Sequence, residues 1–89
     1  MDNKVILAAL ASDLKRVTLG LQRNSYAMVD RFTDEALKRK SEINLRELEL
    51  YMQTLLKQLE SRLATNDKNK KAEDALLYST LIQNYVLYK

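Results

Sequence analysis

The stretch ILAALASDLKRVTLGLQRNSYAMVDRF, residues 6–32, decides the fold. Within it Ile6, Leu10, Leu14, Val17, Leu21, Met28 and Phe32 recur every three or four residues. At about 100° per residue they fall in one sector of a helical wheel. Asn24 and Ser25 lie in the same sector, so the stripe passes through two polar residues without changing phase. The phase predicts one helix from about residue 3 to residue 40. Asp2 or Asn3 supplies its N-cap. Lys38, Arg39 and Lys40 form a cationic last turn that suits the negative end of the helix dipole.

The same stretch holds a weak zone. Gly20 costs about 1 kcal/mol relative to Ala inside a helix. Gln22, Arg23, Asn24 and Ser25 carry the chemistry of a turn, with Asn24 or Ser25 able to cap a separate helix. Phase favours a continuous or merely kinked helix, and cap chemistry favours a break. Both remain open at this point.

Further along, Asn44 and Glu47 have the spacing of a capping box, and they open a helix predicted over 44–64. Its seam is Leu45, Leu48, Met52, Leu55, Leu59 and Leu63, widened by Tyr51 and Leu56, with Leu50 alone on the charged back face. Residues 65–71 are a polar loop rich in Asn and Asp. A last helix is predicted over 69–88. Its main face is Ala75, Tyr78, Leu81, Ile82, Tyr85 and Val86, while Leu76 and Leu87 sit nearly opposite.

These elements predict a single all-α domain over 1–89: an antiparallel helical bundle with one long N-terminal helix and two shorter ones. At 1.5 Å rise per residue the first helix would span about 50 Å and the others about 30 Å each. A hairpin of the two shorter helices cannot cover the long one, and Ile6, Leu7 and Leu10 would be left bare. A second copy of the chain is the simplest cover, so a coiled-coil-like homodimer is expected. Its candidate interface is Ile6, Leu7, Leu10, Leu76 and Leu87. Asn24 and Ser25 would form a buried polar layer that fixes register. The alternative is a monomeric up-down four-helix bundle with a break near Asn24.

Composition narrows the chemistry. The 89 residues are 46% hydrophobic and 30% charged, enough apolar material to fold, with one glycine and no proline. With neither cysteine nor histidine, disulfides, thiolate catalysis, Ser-His-Asp triads and the Glu-x-x-His pairs of di-iron bundles are excluded. Glu35 and Arg39 read as an i,i+4 ion pair beside the seam. Asp30, Asp34 and Glu35 lack the spacing and glycine turn of a calcium loop. No catalytic, cofactor or metal site is expected.

The apolar run at residues 5–11 follows one lysine and is at the minimum length for a signal peptide. It shares its helical phase with the residues that follow it, which favours a cytoplasmic helix start over a cleaved leader. No run approaches the length of a membrane span. The net charge is +3. Lys15, Arg16, Arg23, Lys68, Lys70 and Lys71 are the candidate anion-binding set, should Lys15, Arg16 and Arg23 approach the 65–71 loop.

The function expected from these features is a non-enzymatic protein–protein interaction or regulatory module acting as a homodimer. One alternative is a binder of nucleic acid or another anionic partner through the basic helix ends. The other is a bundle binding a small apolar ligand among Met28, Phe32, Tyr51 and Met52.

Overall fold

A computed structural model describes residues 2–88, which form an all-α bundle of four helices. They are α1 (Asn3–Gln22), α2 (Tyr26–Ser41), α3 (Leu50–Leu63) and α4 (Lys68–Tyr88), with a 3-10 turn at Leu45–Glu47. The helix predicted over 3–40 is therefore two helices, and the break near Asn24 is the correct alternative.

The reason is local. Asn24 adopts a left-handed conformation with φ 55°. Around it Ser25 N donates to Gly20 O at 2.8 Å and Asn24 N donates to Leu21 O at 3.2 Å. This is the Schellman arrangement, with Asn at the position usually held by glycine. Asn tolerates that conformation better than any branched residue. Ser25 then stands at the N-cap of α2, without a side-chain cap bond. Its carbonyl accepts from Val29 N at 3.1 Å, and the chain runs back along α1.

Cross-contacts give the directions. Gly20 lies against Met28 and Val29, Arg16 against Phe32, and Asp13 against Arg39, so α1 and α2 are antiparallel. Ala11 meets Ser79 and Thr18 meets Ala72, which makes α4 antiparallel to α1. Tyr51 meets Tyr85 and Arg62 meets Asp74, so α3 runs antiparallel to α4. The topology is up-down-up-down. The helices are 20, 16, 14 and 21 residues long, and none outreaches its neighbours by the margin expected of a 50 Å helix.

The core forms where α1, α3 and α4 converge. Leu7, Leu10, Leu14 and Val17 of α1, Met52, Leu56 and Leu59 of α3, and Ile82 of α4 are fully buried. Ile6, Leu7 and Leu10 are thus covered within one chain, and the bare N-terminal stripe that called for a second copy does not exist. Helix α2 adds only Val29 and Ala36 to the buried set, with Phe32 and Leu37 half-buried beside them.

The 44–64 segment also departs from one helix. Asn44 caps only the 3-10 turn: its Oδ1 accepts from Arg46 N at 3.2 Å, and its Nδ2 donates to Glu47 Oε1 at 2.9 Å. The backbone is extended at Leu48 and Glu49 before α3 begins. This connection is latched to the start of α1. Asn3 Nδ2 donates to Asn44 O at 2.9 Å and Asn44 N donates to Asn3 Oδ1 at 3.0 Å. Among the described residues, no helix is long and apolar enough to cross a membrane.

Candidate interaction surface

Residues 75–88 form the longest stretch without a charged side chain in a chain that carries 15 basic and 12 acidic residues. This stretch is the C-terminal two-thirds of α4. Its inward positions Ala75, Tyr78, Ser79, Ile82 and Tyr85 are buried. Tyr78 and Tyr85 keep their hydroxyls bonded at the rim: Tyr78 donates to Gln58 Oε1 at 3.4 Å, and Tyr85 accepts from Glu49 N at 3.3 Å. Ser79 donates to Ala11 O at 2.7 Å, a short bond that a larger side chain would prevent. These contacts fix the rotation of α4 and therefore what it turns outward.

Leu76, Leu77, Leu81, Leu87 and Tyr88 point outward, and the last two are 62% and 80% exposed. They account for five of the nine exposed large apolar side chains among the described residues. Two shallow grooves flank the helix. One, of about 250 Å³, lies towards α1 and is lined by Ala11, Lys15, Leu76, Thr80 and Gln83 among others. The other, of about 300 Å³, lies towards α3 and is lined by Tyr51, Leu55, Leu81, Tyr85 and Tyr88. Tyr51 and Tyr85 pack edge to face there, with ring centroids 5.8 Å apart. Asn84 stands on the ridge between the grooves and lines both.

The expected sites fare unevenly. Leu76 and Leu87 are exposed on α4, as their position opposite its main face predicted. Ile6, Leu7 and Leu10 are core residues and offer no surface. Asn24 is exposed and Ser25 half-buried at the α1–α2 reversal, so they form no buried polar layer.

The basic set does not assemble into one stripe. Lys15 faces the α4 groove, whereas Arg16 turns towards α2, where it packs over Phe32 and bonds Ser12. Lys68 is tied to the reversal, donating to Asn24 Oδ1 at 2.8 Å and to the Tyr26 hydroxyl at 2.7 Å. Arg23 lies at that same end, and Lys70 and Lys71 occupy the first turn of α4, the former exposed and the latter half-buried. The residues proposed to line an apolar cavity are also dispersed. Met28 packs by Gly20 at one end of the bundle, Tyr51 packs by Tyr85 at the other, and Met52 is core.

Sequence reasoning missed Asp13. Its carboxylate is 5% exposed and accepts from Arg39 Nε at 2.8 Å, with Arg16 at 3.8 Å. Arg39 therefore pairs across helices with Asp13 rather than with Glu35. The signal was present: Ile6, Leu10, Asp13 and Val17 keep helical spacing, which puts Asp13 on the buried face. Among the described residues, no group of three or more acidic side chains is placed to hold a metal.

No protein-family model, curated protein or solved structure matches this chain.

Proposed function

We propose that the chain is a non-enzymatic protein-interaction module that pairs with a second copy of itself through the outer face of α4. One observation carries this: the face over residues 75–88 is uncharged and holds five exposed large apolar side chains. A surface that must meet its own copy gains from having no charge to repel it. An acidic or basic partner would instead be read by charges, of which α4 carries none over this stretch and the flanking groove only Lys15. Exposed leucine and tyrosine flanked by grooves supply the apolar anchors that interface centres use. A cytoplasmic location belongs to the same proposal, since the apolar run at residues 5–11 continues in phase into the rest of α1, with Ile6, Leu7, Leu10 and Ala11 in the core.

Light scattering of the purified chain tests the proposal. The expected mass is twice the 10.4 kDa of one chain. Leu81→Glu and Leu87→Glu should each return it to the single-chain value with helical content kept, because both side chains are exposed. A wild-type mass of 10.4 kDa at high concentration overturns the proposal.

A further inference from the structure

We infer that the two copies pair with their α4 helices antiparallel, about a two-fold axis perpendicular to the helices near residue 82. This rests on the homodimer reading above and adds its geometry.

On α4 the outward residues fall into two edges. Leu76, Gln83 and Leu87 lie on the edge beside α1, and Leu77, Leu81 and Tyr88 on the edge beside α3, with Thr80 and Asn84 between. Leu76 and Leu87 are eleven positions apart, as are Leu77 and Tyr88. Eleven residues are about three turns, so each pair shares an edge, one member near each end of the uncharged stretch.

A two-fold perpendicular to the helices exchanges the ends and keeps the edges. It sets Leu76 against the partner's Leu87, and Leu77 against the partner's Tyr88. The uncharged polar residues meet in the middle, with Thr80 opposite the partner's Gln83. Apolar side chains thus meet apolar ones along both edges, and polar side chains that can exchange hydrogen bonds meet at the centre.

A parallel pair is disfavoured by the first turns of α4. Glu73 is exposed and lies on the same outward line as Thr80 and Asn84. A parallel pair brings Glu73 against the partner's Glu73, a like-charge contact. It also aligns the two helix dipoles side by side. The antiparallel pair carries Glu73 and Lys70 past the end of the partner's uncharged stretch.

The chain has no cysteine, so Leu76→Cys and Leu87→Cys each introduce a single thiol at an exposed site that folding can spare. The two variants are mixed, oxidised mildly and analysed by mass spectrometry, with circular dichroism to confirm helical content. The antiparallel pair expects the mixed 76–87 disulfide to exceed either like-with-like disulfide by about tenfold or more. Like positions would then lie about 16 Å apart along the axis, well beyond the reach of a disulfide of about 7 Å. Dominant like-with-like disulfides overturn the antiparallel geometry and leave the homodimer standing. A dimeric mass with no cross-link at either position overturns it in favour of another face. A monomeric mass for the wild type overturns both the geometry and the homodimer.

Discussion

Arg39 on α2 donates from Nε to Oδ2 of Asp13 on α1 at 2.8 Å, and Asp13 is almost wholly buried. Arg39 is itself about one-third exposed, which moderates the strength of the pair. The contact still sets the register of the first hairpin, because a buried carboxylate must find its donor.

Arg39→Ala is expected to destabilise the fold by about 2 kcal/mol, the loss of a hydrogen bond to a charged group that stays buried. In an Asp13→Ala background the same change should cost much less. A double-mutant cycle by denaturant unfolding measures the difference. A coupling energy near zero would mean that the pair is incidental to the register.

Asn24→Gly should leave stability unchanged or raise it slightly, because glycine adopts φ 55° without strain. Asn24→Val should lower it by about 1–2 kcal/mol. The hydrogen bond from Lys68 to Asn24 is solvent-exposed and contributes little to either outcome. Thermal unfolding of the two variants checks the sign, and a valine variant as stable as wild type would contradict the turn geometry.

Gly20→Ala sets two effects against each other. Helix propensity gains about 1 kcal/mol. The new Cβ, however, would lie 2.9 Å from Val29 Cγ2 and 3.2 Å from Val29 N, where a stiff side chain and the backbone of α2 must move. Overpacking of this kind costs about 1–3 kcal/mol, so a net loss is expected. A rise in melting temperature would show that α2 yields easily at this crossing.

Leu59→Ala should cost about 2–5 kcal/mol, since Leu59 is fully buried. Leu50→Ala should stay within about 0.5 kcal/mol, since Leu50 is 75% exposed. Equal small losses for both would contradict the assigned inward face of α3.

Helix identity was legible in the sequence, and chain direction was not. Most inward residues of α3 and α4 follow from their spacing, and so does the exposure of Leu50, Leu76 and Leu87. Leu81 and Tyr51, which spacing placed on the inward faces, are exposed instead, because each stands at the edge of its face beside the groove between α3 and α4. The α1–α2 reversal was obscured because periodicity counts positions along the chain and carries no sign for direction. Leu21 and Met28 are seven residues apart, close to two helical turns, so two antiparallel helices read as one. The local signal, Asn24 in a setting that suits the left-handed conformation, was the informative one. Asp13 was hidden differently. A carboxylate on an apolar face is invisible to a search for hydrophobic residues, and its partner lies 26 positions away. The candidate surface was partly legible: Leu76 and Leu87 were readable from α4 alone. The grooves beside them need the packing of α1 and α3, which spacing within one helix cannot supply.

The bond from Ser79 to Ala11 also has a consequence in time. It joins residues 68 positions apart, whereas the reversal at Asn24 joins neighbours. Closing a long loop costs more chain entropy than closing a short one, and contacts distant in sequence slow folding. The α1–α2 hairpin should therefore form ahead of the α1–α4 seam. Yet the fully buried Leu7, Leu10, Leu14 and Val17 of α1 share one core with Met52, Leu56 and Leu59 of α3 and Ile82 of α4. Because α2 contributes only Val29 and Ala36 to the buried set, the nascent α1–α2 hairpin leaves the cover of Leu7, Leu10 and Leu14 incomplete until the last helix arrives.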